Sequence, residues 1–348
     1  MNQANFRRLL ARNSYLFALL LLIVVVLINY SRQDNLFDPS VLNRNIRVFL
    51  PLAILAVGQA IVIIGGGIDL SVGAMVSLCN ALLVTWITPE TAGGDILLAI
   101  GLVALVGMAA GLLNGIAVAY LRLQPIVTTY ATSFIFAGLA LTILPRPGGQ
   151  LPSDMTGLYR RLIEVEAFAN IPIIQDISIL REIPPAFIVI AIILLLWAFL
   201  RQTRLVQYIY ASGDNAEAAY TTGIPVQRIR LGTYVISGFF AAMAALALTM
   251  SLGSGSPTSG DAMTLDSIVA VVLGGTRLRG GQGGIAGAMM GVVILGVIRN
   301  IISFYDVPTW SQTLVDALII LIALAGPGFV RYVSDLIRRY RLQGGRAA

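Results

Sequence analysis

Apolar runs long enough to cross a lipid bilayer recur along this chain, separated by shorter stretches that hold most of its charged residues. A transmembrane helix needs about 17–25 predominantly apolar residues. On this criterion the pattern predicts an all-α polytopic membrane protein with about ten transmembrane helices. The eighth run is too short to span alone, so we expect a partial helix that ends in a glycine-rich loop. The predicted spans are 15–30, 48–64, 70–88, 95–120, 125–144, 185–200, 231–252, 266–276, 284–304 and 311–328.

Two of these apolar runs are interrupted by glycine. IVIIGGGIDLSVGAMVSL (61–78) places three glycines and an aspartate between two apolar halves, and VAVVLGGTRLRGGQGGIAGAMMG (269–291) has a comparable break. Glycine runs lower helix propensity and expose backbone polar groups that lipid leaves unsatisfied. We therefore expect broken helices at 65–69 and 274–284, buried in protein or lining a cavity on a transport path. The candidate gate residues are Gly65, Gly66, Gly67, Asp69, Gly274, Gly275 and Arg277.

The composition supports a membrane protein and excludes several kinds of active site. Of the 348 residues, 57% are hydrophobic and 11% charged, where a soluble domain carries about 25% charged residues. The sequence contains no lysine, so it has no Walker A phosphate loop, and no histidine, the commonest general base and metal ligand. Its single cysteine, Cys79, permits no intrachain disulfide. We expect no catalytic residues, metal or cofactor on this chain.

The arginines predict the orientation of the spans, and the net charge of +6 reflects this topology rather than nucleic-acid binding. With the N-terminus inside, fifteen arginines fall on the cytoplasmic side and seven outside, as the positive-inside rule requires. The first residues resemble the n-region of a signal peptide without a cleavage site, so we expect an uncleaved anchor. The expected organisation is a single membrane domain, 1–348, with a cytoplasmic arm 1–14, an outer loop 145–184, an inner loop 201–230 and a cytoplasmic tail 329–348.

Glycines at four-residue spacing form two strips, 107–115 and 283–291. Strips of small residues let helix backbones approach closely in lipid. They indicate either tight packing around a path or a dimer seam, or ordinary helix packing.

The inner loop contains a short helix with its own caps. Asp214 is the predicted N-cap, Glu217 completes a capping box, and Gly223 and Pro225 end the helix. A helix that carries its own caps is suited to stand out from the membrane and dock.

This helix and the glycine breaks resemble one family of transporters. Glu217-Ala218-Ala219-x-x-x-Gly223 matches the EAA-x-x-x-G loop of bacterial ABC importer permeases. Six stretches are similar to the ribose/xylose/galactose class of these permeases, in order over roughly residues 45–325. They are IVIIGGGIDLSVG (61–73), LNG (113–115), TRLVQYIYASGDNAEAAYTTGI (203–224), PTSG (257–260), LDSIVAVVLGGTRLRGGQGGIAG (265–287) and ILGVIRNII (294–302).

The resemblance implies a type II importer fold in the bacterial inner membrane and a set of partners. These are an ABC ATPase that holds ATP and Mg, a periplasmic or lipid-anchored solute-binding protein, and a second permease copy in a homodimer or heterodimer. The implied coupling residues are Asp214, Asn215, Glu217, Ala218, Ala219 and Gly223. Two positions depart from the class: Thr264 stands where many members have glutamate, and Arg277 where a small residue is common.

Polar side chains inside the predicted spans suggest an uncharged lining for a small hydroxylated solute, with interhelical hydrogen bonding as the alternative. The candidates are Gln59, Asn80, Asn114, Thr128, Thr129 and Ser133. Asp69 either caps the following helix near Ser71 or pairs with Arg277. The competing functions are an ion-coupled secondary transporter and an intramembrane enzyme. The docking helix, the lack of histidine and the scarcity of buried carboxylates favour the ATP-driven importer over the secondary transporter. Against the enzyme, no base or oxyanion arrangement accompanies Ser71, the candidate nucleophile.

Overall fold

The computed structural model describes residues 14–31, 33, 35–164 and 182–304, together with positions 314, 317, 318 and 321. Contacts divide the chain into a first unit, residues 1–297, and a second unit, residues 298–348. The described part of the second unit consists of the last residues of one helix and the four isolated helical positions.

The described chain is mainly helical and has almost no strand. One two-residue antiparallel ladder pairs β1 (Ile163–Glu164) with β2 (Glu182–Ile183), with Ile163 opposite Ile183. The helices are α1 (Ser14–Tyr30), α2 (Pro39–Ile64), α3 (Val72–Trp86), α4 (Gly93–Ala119), α5 (Pro125–Ile143), α6 (Ser153–Arg160), α7 (Pro185–Leu200), α8 (Arg204–Asp214), α9 (Ala216–Thr221), α10 (Val226–Leu252), α11 (Met263–Leu273) and α12 (Ile285–Phe304).

Five described helices are long and apolar enough to cross a membrane: α2, α4, α5, α10 and α12. The pair α7 and α8, bent by 82°, would make a sixth. The predicted first, third and eighth spans are shorter apolar helices in the structure, Ala18–Tyr30, Val72–Trp86 and Met263–Leu273. Most of the predicted tenth span, 311–328, lies outside the described residues, so the count of ten stays a prediction.

Both predicted breaks are present. Helix α2 ends at Ile64 and α3 begins at Val72, while α11 ends at Leu273 and α12 begins at Ile285. Gly66 and Gly275 follow the two helix ends with φ of 82° and 86°. Only glycine adopts this left-handed conformation at no steric cost, so the glycine runs account for where the helices stop.

Helix α2 is largely buried within the first unit and packs mainly against α10 and α11, with smaller contacts to α7 and α8. Its residues from Leu50 to Ile64 are buried almost without exception, including Pro51 in the helix interior. Helix α7 is the opposite case, since Ala186 is the single buried residue recorded for it. An apolar helix with so little burial presents its side chains to lipid.

The first glycine strip packs against α10. A Cβ on Gly107, Gly111 or Gly115 would lie against a backbone carbonyl oxygen of Gly238, Tyr234 or Leu231, respectively. The backbones of α4 and α10 therefore touch along three turns. This confirms tight helix packing as the role of the strip, and because α10 of the same chain covers it, these glycines are not a seam between copies.

The first unit has two distinguishable ends. At one, the Gly255 end, an isolated bridge joins Gly148 to Gly255, and Asn43 Nδ2 donates to Arg160 O at 2.8 Å. At the other, the Gly213 end, the Gly281 backbone N–H donates to Ile64 O at 2.9 Å. The predicted outer loop contributes to the first end. The inner loop and both breaks contribute to the second.

The α4–α10 seam predicts that Gly111→Ala destabilises the protein. The new methyl group would collide with Tyr234 O, and overpacking of this kind costs about 1–3 kcal/mol. The control is Gly101→Ala in the same helix, because a Cβ at Gly101 has no atom within 4 Å. The apparent melting temperature in detergent should fall for Gly111→Ala only. Equal melting temperatures for the two variants would contradict the close contact.

Candidate functional site

Asp69 lies fully buried in the first break. Its Oδ1 accepts hydrogen bonds from the Ser71 backbone N–H at 2.9 Å and from Ser71 Oγ at 2.6 Å. This local turn leads the chain into α3, so the predicted bond to the backbone at Ser71 is present. The helix begins at Val72 rather than at Leu70. The other oxygen, Oδ2, is buried with no hydrogen-bond partner.

Hydrogen bonds connect this turn to two further helices. Asn114 Nδ2 in α4 donates to Ser71 Oγ at 2.8 Å, and Thr132 Oγ1 in α5 donates to Asn114 Oδ1 at 2.7 Å. Thr129 Oγ1 accepts from the Leu70 backbone N–H at 2.9 Å. The break is therefore held by side chains from α4 and α5 that replace the missing helical bonds. We call Asp69, Ser71, Asn114 and Thr132 the break network.

The predicted ion pair between Asp69 and Arg277 is wrong. Asp69 points into the break network, whereas Arg277 is exposed in a turn of the 274–284 loop, where its backbone N–H donates to Gln282 O at 3.2 Å. Burying a guanidinium beside Asp69 would require removing two charges from water, which costs several kcal/mol per ion. Both breaks are rich in glycine, but in the first the charged residue, Asp69, is buried and hydrogen-bonded, whereas in the second Arg277 is exposed.

A second polar cluster surrounds Asn80, nearer the Gly255 end. Asn80 Nδ2 donates to Thr249 Oγ1 at 2.6 Å, and Asn80 Oδ1 accepts from the Ser256 backbone N–H at 2.8 Å. In the same region Ser77 Oγ accepts from the Gly260 backbone N–H at 2.9 Å. These bonds hold the loop between α10 and α11 against α3.

The other predicted lining residues are placed differently. The hydroxyls of Thr128 and Ser133 bond to carbonyls of their own helix, Gln124 O at 2.9 Å and Tyr130 O at 2.6 Å, and Ser133 is half-buried. Gln59 is fully buried in α2 with no hydrogen-bond partner for Nε2 or Oε1. Of the six, Gln59 alone keeps its whole polar group free of protein partners in this conformation.

Sequence reasoning missed two of the residues that bond to these sites, Thr132 and Thr249, and it named Thr264 only as a departure from the class. Thr264 Oγ1 accepts from the Gly73 backbone N–H at 3.0 Å and thereby fixes the first turn of α3 against the start of α11. The departure from glutamate at this position thus supplies a compact acceptor in a tight space. Thr132 could have been found from its spacing, since it follows Thr129 by one helical turn.

The short helix of the inner loop has a different N-cap from the one predicted. Helix α8 continues through Asp214, and Asn215 is the cap, because its Oδ1 accepts from the backbone N–H groups of Glu217 and Ala218 at 3.1 and 3.0 Å. Gly223 has φ of 85°, as a residue ending a helix in the left-handed region requires. The end of the helix is as predicted and its start lies one residue later.

An open groove of about 780 Å³ lies beside α9. It is lined by Tyr120 from the end of α4, by Tyr220 and Gly223, and by Arg228 in the first turn of α10. Tyr220 is 64% exposed, and Glu217 is exposed on the same short helix. The concave surface combines two tyrosine rings with a base, and the exposed acid Glu217 belongs to the same short helix as Tyr220. Exposed tyrosine and arginine side chains are enriched where proteins contact one another.

The chain matches the family described as branched-chain amino acid transport system / permease component over residues 41–324. It is 32% identical to the ribose import permease protein of Haemophilus influenzae over 93% of this chain and 95% of that protein. It is also 32% identical to the xylose transport system permease protein of Escherichia coli over 78% and 80% of the two chains. Identity to the autoinducer 2 import system permease protein of Photorhabdus luminescens is 28%, over 93% and 94%. No solved structure matches the chain significantly.

The break network predicts that Thr132→Val destabilises the protein. The substitution keeps the shape and leaves Asn114 Oδ1 buried without its donor, which costs about 1–3 kcal/mol. Thr142→Val is the control in the same helix, because the Thr142 hydroxyl bonds to Gly138 O of its own helix and is exposed. Thermal denaturation in detergent should give a lower melting temperature for Thr132→Val than for Thr142→Val. If Thr132→Val is as stable as Thr142→Val, the network does not hold the break.

The corrected cap predicts a local effect of Asn215→Ala. Loss of an N-cap costs about 1 kcal/mol, which corresponds to roughly fivefold faster exchange of the amide hydrogens it protects. Hydrogen exchange measured by mass spectrometry should show this acceleration at Glu217 and Ala218. Asp214→Ala, one residue earlier, should leave both amides unchanged. Acceleration in Asp214→Ala alone would restore the original assignment.

Proposed function

The chain belongs to the family of branched-chain amino acid transport system permease components, and from this premise we propose that it is the membrane subunit of an ATP-driven importer for a monosaccharide or a similar small polyhydroxylated solute. The family match over residues 41–324, which contains both breaks and the inner-loop helix, supports the role of permease. The observation that carries the proposal of a sugar is the 32% identity to ribose and xylose permeases. The import and transport permeases reported above match this chain over most of its length.

We propose about ten spans of the type II importer kind in the bacterial inner membrane, with both termini in the cytoplasm. The distribution of arginines and the two ends of the fold support this orientation. Residues that the arginine pattern assigns to the inner side meet at the Gly213 end, and those assigned to the outer side meet at the Gly255 end. Helices α4 and α10 run antiparallel where they touch between Gly107 and Gly115. The proposed orientation requires this, because it has the two helices cross the membrane in opposite directions.

The energy source proposed for transport is a separate ATPase that holds ATP and Mg and docks at α9. Helix α9 is exposed at Glu217, lies beside the groove, and belongs to the Gly213 end together with both breaks. These features supply a surface for a partner, and both broken helices lie close enough to that surface for a movement of α9 to reach them. We propose a second permease copy and a periplasmic or lipid-anchored binding protein, which would deliver solute at the Gly255 end.

The proposed solute path uses uncharged hydrogen-bonding groups. Asn80 and Asn114 are occupied by protein partners here, and Gln59 is not. A buried amide without partners costs about 1–3 kcal/mol, and a conformation that brings Gln59 to a hydroxylated solute would remove that cost. Gln59 is therefore the first residue to test for contact with solute.

The assay that tests the function is ATP hydrolysis and solute uptake by the complex reconstituted in liposomes with its ATPase and binding protein, across D-ribose, D-xylose, D-galactose, polyols and nucleosides. We expect one solute to stimulate hydrolysis. Glu217→Arg should abolish the stimulation, because like-charge contacts at an interface cost several kcal/mol. Gln202→Arg, which also adds positive charge at an exposed position of the inner loop, is the control.

Two outcomes would contradict the proposal. Uptake driven by a proton or sodium gradient, with no dependence on any ATPase, would identify an ion-coupled secondary transporter. Stimulation that survives Glu217→Arg, or that is lost equally in Gln202→Arg, would remove the docking role of α9.

A further inference from the structure

Three segments of the first unit meet through glycine backbones at the Gly213 end. Gly66 follows α2 in the first break, Gly213 lies in the last turn of α8, and Gly280 and Gly281 belong to the loop between α11 and α12. We call Gly66, Gly213, Gly280 and Gly281 the glycine junction.

The contacts in the junction leave no room for a side chain. A Cβ on Gly213 would collide with Ile64 O and lie 2.8 Å from Gly281 N. A Cβ on Gly280 would lie 2.8 Å from Gly213 O and 2.9 Å from Gly66 Cα. The Gly281 backbone N–H donates to Ile64 O at 2.9 Å, so one break is hydrogen-bonded to the other directly beside Gly213.

Gly213 differs from the other members of the junction in its backbone conformation, so a different constraint requires glycine there. Gly66, Gly280 and Gly281 have φ of 82°, 88° and 70°, a conformation that side chains rarely adopt. Gly213 lies within α8, and its backbone is not in that region. Glycine is therefore required at this position because the backbones of the two breaks approach the α8 backbone closely.

A second contact joins α8 to the same loop. Tyr210 Oη, one turn before Gly213, donates to Gly283 O at 2.7 Å. The same side of α8 is also packed in an apolar cluster that contains Ile209, Ile64 and Ile285, since Ile209 precedes Gly213 by four residues. Helix α8 is thus packed against the ends of α2 and α12 and hydrogen-bonded to the loop that precedes α12.

The junction is also adjacent to the exposed helix α9. Asn215 is at once the residue that ends α8 and the N-cap of α9, so only Asp214 and Asn215 separate Gly213 from α9. Packed backbones in contact move as units and do not compress. Displacement of α9 must therefore displace Gly213 and, through it, both breaks.

We propose that the glycine junction transmits movement of α9 to both broken helices, and that Gly213 is a positioning residue for transport. This rests on the function proposed above, in which a partner ATPase moves α9. On the interior side the first break continues into the break network through Asp69, and the 274–284 loop continues into α12. One junction would thus drive two parts of the path in the same step.

The test is Gly213→Ala in the reconstituted complex, with the sugar from the panel above that the wild-type protein imports. We expect the complex to assemble and hydrolyse ATP while the number of sugar molecules imported per ATP falls about fivefold or more, the range of typical coupling energies. Gly232→Ala in α10, where a Cβ has no atom within 4 Å, should import normally.

A milder pair of variants keeps the test informative if Gly213→Ala fails to assemble. Tyr210→Phe removes the bond to Gly283 O without changing the packing, and we expect roughly a threefold lower import per ATP. Tyr208→Phe, two residues away in the same helix, is its control and should match the wild type.

The outcomes separate this inference from the proposed function. A wild-type complex without ATP-dependent uptake would overturn the function. A coupled wild-type complex whose Gly213→Ala and Tyr210→Phe variants import as many sugars per ATP as their controls would overturn the junction alone. Import that falls only in proportion to the assembled complex would do the same, because it would show a purely structural role.

Discussion

Backbone N–H and C=O groups that leave a helix inside an apolar assembly must find new partners, because lipid supplies none. The first unit of this chain meets that requirement around its first break. Ile64 O accepts from Gly281 N, Leu70 N donates to Thr129, and Gly73 N donates to Thr264. Each bond crosses from one segment to another. The breaks therefore connect the helices. Their backbone N–H and C=O groups need hydrogen-bond partners, and they find them on other segments.

Close approach of backbones is the second condition that the fold depends on. Helices in lipid gain little from hydrophobic burial against each other and rely on packing and interhelical hydrogen bonds. The α4–α10 seam achieves this with Gly107, Gly111 and Gly115, and the glycine junction does so among three segments. The seam is a regular contact along two helices. The junction joins chain ends that differ in direction and conformation, which makes it the more sensitive of the two to displacement.

The polar interior consists of satisfied and unsatisfied groups with different consequences. Asn80 and Asn114 each bond to neighbouring helices or loops and hold the first unit in this conformation. Gln59 and one oxygen of Asp69 are buried without partners. Groups of this second kind raise the free energy of the conformation that contains them. A transporter must leave this conformation during its cycle. Buried groups without partners favour that step, because they can form hydrogen bonds in the next conformation.

The sequence by itself determined the helical membrane class, the positions of both breaks and the end of α9 at Gly223, because each follows from local chemistry: apolar length, glycine conformation and a terminating proline. It also placed Asn114 among the interior polar residues. Tertiary structure decided what those residues touch. Asp69 bonds to Ser71 and the break network instead of Arg277, and α8 continues through Asp214 so that Asn215 becomes the cap. Both bonds span only two or three residues, so local chemistry offers them, and tertiary structure decided between them and their alternatives. It keeps Arg277 away from Asp69 and packs Gly213 of α8 against Ile64 and Gly281. Periodicity along the chain carries no information on such approaches between distant segments.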